Sequence, residues 1–250
     1  MNLWVFDLDG TLITSGIDYA RAVCRWELMF IDRMEHWAPH YDKFVPEFLN
    51  LLRESEKELF KTMRAHRERF PTSMVVAYRG LCRSFGMDVD PKIERETWEI
   101  GVSALSEETY RERGMMPGAE ETLNFLREQG DLLYCVTAGD SVVQWMKWRG
   151  YNLSRFFPSQ REYRVVKWDK LSTLRLLRKL HRDKLALMVG DSIGSDLVPA
   201  AEAGYLPIYI PHRSVWDHGE LVKEPPPGSR RFKEITQIES EYRNLIKPTG

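Results

Sequence analysis

The chain has 250 residues, enough for one large domain or two modest ones with a substantial core. Its 36 Lys+Arg and 37 Asp+Glu leave a net charge of −1, which excludes the one-signed field that recruits nucleic acid or an anionic membrane. The three cysteines, Cys24, Cys82 and Cys135, show no paired spacing for a disulfide framework or a zinc site, so buried thiols in a reducing compartment are expected. The opening Met-Asn-Leu-Trp-Val-Phe lacks the basic start and apolar stretch of a signal peptide, and no apolar run reaches the roughly 18 residues of a membrane span. A cytoplasmic protein with neither a nucleic-acid nor a membrane partner is expected.

The first predicted element is a buried strand over Leu3 to Phe6. Residues 18 to 110 then carry helical periodicity. Tyr19, Val23, Trp26, Phe30, Met34 and Trp37 share one face, and Phe44, Phe48, Leu51, Leu52, Leu59 and Met63 a second. Met74, Tyr78, Leu81, Cys82 and Phe85 form a third, ended by Gly86; Ile93, Thr97, Ile100, Gly101, Ala104 and Leu105 form a fourth. This predicts an all-helical insertion. Further apolar runs at Leu132 to Val136, Leu185 to Val189 and Leu206 to Ile210 each follow a helix-like stretch. Such alternation predicts an α/β fold with a Rossmann-like parallel sheet. The expected division is a core over residues 1–13 and 114–250, with the helical insertion over 14–113. Pro225-Pro226-Pro227-Gly228 reads as a surface loop.

The chemically suggestive residues fall at the carboxyl ends of these strands, where ligands bind in open α/β sheets. Asp7 and Asp9, in Asp7-Leu8-Asp9-Gly10-Thr11, follow the first strand. Thr137, Ala138 and Gly139 follow the second and offer backbone N–H groups to an anion. Asp191 and Asp196, in Gly190-Asp191-Ser192-Ile193-Gly194-Ser195-Asp196, follow the third; either carboxylate could also serve as a helix N-cap. Lys167 and Lys170 flank a helix start near Asp169, and Lys167, two residues before that cap, is the preferred candidate. His212 and His218 follow the last strand, but no histidine has metal-ligand spacing.

The order Asp, Thr, Lys, Asp, with DLDGTL at Asp7 to Leu12 and GDSIGSD at Gly190 to Asp196, resembles the haloacid dehalogenase-like hydrolase superfamily. The insertion matches that family's C1 cap position. The resemblance implies a Mg²⁺-dependent phosphatase acting on a small phosphorylated metabolite. Asp7 would be the nucleophile and Asp9 the general acid and base. Asp7, Asp191 and the backbone carbonyl of Asp9 would hold the metal. Thr137, Ala138 and Lys167 would hold the phosphoryl group, with Asp196 in support. A 2-haloacid dehalogenase and a phosphomutase share the aspartate nucleophile and stand as alternatives.

Overall fold

The computed structural model describes residues 1–14, 16–33, 40–212 and 224–247. Met34, His36, Trp37 and His218 lie outside the described residues, and the expectations placed on them with them. The chain divides into two units, Met1–Ser15 with Tyr110–Gly250, and Gly16–Thr109.

The first unit is built on a six-stranded sheet. Its strands are β1 (Leu3–Phe6), β2 (Leu132–Ala138), β3 (Tyr163–Val166), β4 (Ala186–Gly190), β5 (Leu206–Tyr209) and β6 (Arg230–Arg231). They lie in the order β3-β2-β1-β4-β5-β6, and every pairing is parallel. Leu3 is in register with Leu132 on one side and Ala186 on the other, so β1 is central. Helices on both faces explain why all four β1 residues are apolar. Trp4 and Phe6 enter one cluster with Leu123, Leu126 and Ile238; Leu3 and Val5 enter the other with Leu174, Leu177 and Met188. Each fully buried side chain of this kind contributes about 1.5–3 kcal/mol.

The sequence pattern located β1, β2, β4 and β5 within a few residues and missed the edge strands. In β3, Arg164 breaks the apolar run, and three of its four residues are only half-buried. In β6 both residues are exposed arginines, which carry no hydrophobic signal at all. The helices of this unit are α5 (Glu107–Arg113), which begins in the other unit, α6 (Ala119–Glu128), α7 (Ser141–Gly150), α8 (Leu171–Leu180), α9 (Val198–Glu202) and α10 (Gln237–Leu245).

The second unit holds α1 (Ile17–Arg33), α2 (Tyr41–Met63), α3 (Arg69–Phe85) and α4 (Pro91–Ser103). Trp26 stacks on Phe48 with ring centroids 3.5 Å apart and donates its Nε1–H to Thr97 Oγ1 at 3.0 Å, so this tryptophan is core. A buried Glu56 joins α2 to α3 by accepting from Ser73 Oγ at 2.6 Å and pairing with Arg69 at 3.1 Å. Asp90 caps α4 by accepting the Lys92 N–H, with Pro91 at the first helical position. Cys82 and Cys135 are buried, but Cys24 is exposed, contrary to expectation; none forms a disulfide. No helix among the described residues is long and apolar enough to cross a membrane.

Candidate active site

The parallel sheet delivers Asp7, Thr137 and Asp191 to one edge, because they lie at or just beyond the carboxyl ends of β1, β2 and β4. Asp7 extends the β1 ladder by donating its N–H to Val189 O at 2.9 Å. The chain then turns back on itself, with Leu12 N and Ile13 N both donating to Leu8 O, at 2.9 and 3.0 Å. Gly10 makes that turn possible. Its φ of +83° suits glycine, and a Cβ there would collide with the Asp191 carboxylate.

Asp191 and Asp196 come from the turn after β4. Ser192 opens a π-helical turn over Ile193–Leu197 by accepting the Ser195 N–H. Within it Asp196 is fully buried, and its Oδ2 accepts the Ser192 N–H at 3.1 Å. Carboxylate oxygens of Asp7, Asp191 and Asp196 lie within 4.8 Å of one another.

The lysine among these acids is Lys170, which corrects the choice of Lys167. Its buried ammonium donates to Asp7 Oδ1 and, at 2.6 Å, to Asp196 Oδ1. Lys167 is exposed. The reason lies in the helix start. Asp169 does bond the first turn, accepting from Leu171 N and Ser172 Oγ, but Lys170 is the residue flanking α8. Lys167 belongs to the exposed turn just past β3.

The charges do not balance: one ammonium sits among three carboxylates. Burial pushes the Asp7 carboxyl well above the usual range, with Lys170 opposing and Asp196 adding to the rise. Burial does the same to Asp191, aided by the charges of Asp7 and Asp196. Burial works to lower the Lys170 pKa, but Asp196 and Asp7 together carry it above the ordinary value. A hard divalent cation fits this donor set, since Mg²⁺ prefers carboxylate oxygens and a surplus of buried negative charge needs a counter-charge.

Thr137 is buried at the end of β2, and Ala138 follows it. At the helix start beyond them three N–H groups are already engaged. Gly139 donates its N–H to Val166 O at 2.9 Å, and Asp140 takes the N–H groups of Val142 and Val143. Asp9 turns toward α7, where Lys147 Nζ reaches both its oxygens, at 2.6 and 2.8 Å, and Gln144 Nε2 reaches Oδ2 at 3.2 Å. Sequence reasoning missed Gln144 and Lys147. Their only signal is a shared helical face at a spacing of three residues.

A profile of haloacid dehalogenase-like hydrolases matches residues 1–204. No curated relative matches the chain. Among solved structures, a haloacid dehalogenase-like family hydrolase from Xanthomonas campestris is 21% identical, with TM-score 0.68, covering 98% of this chain and 92% of that one. The HAD-hydrolase YfnB from Bacillus subtilis, solved bound to magnesium, is 17% identical with TM-score 0.52, covering 98% of each chain. The 2-haloacid dehalogenase from Pseudomonas syringae pv. Tomato is 17% identical with TM-score 0.52, covering 98% of this chain and 99% of that one. These structures share the fold, and the profile spans most of the chain, both β1 and β4 motifs included. The chain therefore belongs to the haloacid dehalogenase-like hydrolase family.

Proposed function

We propose that the protein is a Mg²⁺-dependent phosphomonoesterase that hydrolyses a small phosphorylated metabolite through an aspartyl-phosphate on Asp7. The observation that carries this reading is the crowding of Asp7, Asp191 and Asp196 around Lys170, a site short of positive charge. A dianionic phosphate adds to that deficit, so a cation is needed for both protein and substrate. Asp7 and Asp191 would hold Mg²⁺ with the backbone carbonyl of Asp9, and Asp196 supports Lys170. The ion, when bound, supplies charge neutralisation of the phosphoryl oxygens.

The Asp7 carboxylate attacks phosphorus, and the bond to the leaving oxygen breaks as Asp9 gives that oxygen a proton. Asp9 then removes a proton from water, which attacks the aspartyl-phosphate, frees inorganic phosphate and restores Asp7. Thr137, Ala138 and Lys170 steady the phosphoryl oxygens in both steps. The helical unit takes the family's cap role in this reading, selection of the substrate.

Some structural neighbours are named as haloacid dehalogenases. Displacing halide requires no proton, which gives Asp9 no task as an acid, and brings no phosphate charge to offset. The test is turnover of p-nitrophenyl phosphate and a panel of phosphorylated metabolites, beside chloroacetate, with Mg²⁺ or with excess chelator. Phosphate release that requires Mg²⁺ supports the reading. Chloride release unaffected by chelator, with no phosphatase activity, overturns it.

A further inference from the structure

The Asp9 carboxylate is held by one face of α7. Lys147 binds both oxygens and Gln144 binds Oδ2, and these three contacts fill three of the about four lone-pair positions a carboxylate offers. The carboxylate plane is thereby fixed, with capacity for one further partner. Gln144 is itself anchored. It is buried, its Nε2 also donates to Ala138 O at 3.1 Å, and its backbone carbonyl accepts from Tyr163 Oη at 2.9 Å. Both groups facing its Nε2 are acceptors, so the amide can point only one way. Gly139 makes room for it. At φ +150° it bears no Cβ, and one placed there would lie 2.7 Å from Gln144 Nε2.

We infer that Lys147 and Gln144 are positioning residues that aim the Asp9 carboxylate for its two proton transfers. This rests on the phosphatase reading above, in which Asp9 exchanges protons with the leaving group and with water. A misplacement of about 1 Å can cost on the order of 10²-fold in rate. The buried Asp7–Lys170–Asp196 group is separate: Lys170 touches the nucleophile, whereas Lys147 acts through Asp9.

The experiment measures the first-step rate, from the burst of phenol or nitrophenol, and substrate Kd for Lys147→Met, Lys147→Arg and Gln144→Leu on phenyl phosphate and p-nitrophenyl phosphate, which differ mainly in leaving-group basicity. Lys147→Met is expected to lose about 10- to 100-fold in first-step rate on phenyl phosphate, and less on p-nitrophenyl phosphate, with substrate Kd within about threefold. Lys147→Arg should recover most of the loss, and Gln144→Leu should show a weaker version of the same pattern. Combined with Asp9→Asn, Lys147→Met should cost nothing more, because its route to the reaction is already gone. Equal first-step loss on both esters, a loss carried by substrate Kd, or an additive double variant overturns the positioning role. If Lys147→Met does not fold, Lys147→Arg and Gln144→Leu decide by the same criteria. Wild-type protein that cleaves neither these esters nor any phosphorylated metabolite of the panel removes the phosphatase reading and this role together.

Discussion

Two buried aspartates at opposite edges of the same sheet have opposite surroundings. Asp131 precedes β2 at the amino edge and accepts from the Asn2 N–H, Asn2 Nδ2, Trp4 Nε1 and Tyr242 Oη, at 2.6 to 3.0 Å. Asp7 follows β1 at the carboxyl edge, where two more carboxylates crowd it and a single lysine answers them. The first acid is saturated with donors and tethers α10 to the central strand. The second is left short of positive charge. The contrast assigns one buried carboxylate to stability and the other to the proposed reaction, and substitution separates the two.

The largest effect is expected at Asp7. Asp7→Asn should lower phosphatase turnover by about 10⁴-fold or more, since the proposed nucleophile is gone, while circular dichroism and melting stay close to wild type. Measurable turnover at the wild-type rate would sink the covalent role. Asp9→Asn comes next, with a loss of about 10²- to 10⁴-fold on alkyl phosphates and a smaller loss in the first step on p-nitrophenyl phosphate. Stopped-flow should then show a burst of nitrophenol followed by slow phosphate release. Equal first-step losses on both substrates, without a burst, would remove Asp9 as acid and base.

Asp131→Ala tests the other edge. It leaves the buried Trp4 Nε1 and Tyr242 Oη without their acceptor, and unmade bonds of this kind cost about 1–3 kcal/mol each. Chemical denaturation should therefore show a loss of about 2–4 kcal/mol, with kcat of the folded protein unchanged. A fall in kcat without a fall in stability would merge the two edges that the comparison separates.

The smallest effect has the least intuitive sign. Asp191→Asn removes a carboxyl whose charged form burial and the neighbouring acids disfavour, so metal-free protein near neutral pH should melt about 2–4 °C higher, the shift expected for about 1 kcal/mol in a chain of this size. The same substitution should abolish the stabilisation of wild type by added Mg²⁺ and most of the activity. Calorimetry with and without Mg²⁺ checks both halves. A metal-free variant that melts lower than wild type would show that Asp191 is satisfied without a cation.

Much of this was legible in the chain because central parallel strands are buried on both faces and so read as unbroken apolar runs. Leu3 to Phe6 and Leu132 to Val136 announced themselves in this way, and with them the loops that carry Asp7, Thr137 and Asp191. What stayed hidden depended on where side chains point. Lys167 and Lys170 are three residues apart in one turn, yet one is exposed and the other buried against Asp7. Local spacing relative to Asp169 could not reveal that. Gln144 and Lys147 look like the polar face of an ordinary helix until tertiary structure brings Asp9 to them. The edge strands β3 and β6 escaped because their residues are largely half-buried or exposed, which removes the hydrophobic pattern itself.

The central position of β1 also bears on how the protein is made. Its neighbours begin at Leu132 and Ala186, so the most apolar strand of the sheet is synthesised long before either of them. At about 5–20 residues per second, roughly ten to forty seconds pass before both flanks exist. Contacts so distant in sequence close slowly. During that interval the helices of Gly16–Thr109, whose contacts are local, can fold first, while Leu3, Trp4, Val5 and Phe6 remain a sticky segment on a nascent chain. The strand that leads into Asp7 is thus among the last to gain its neighbours.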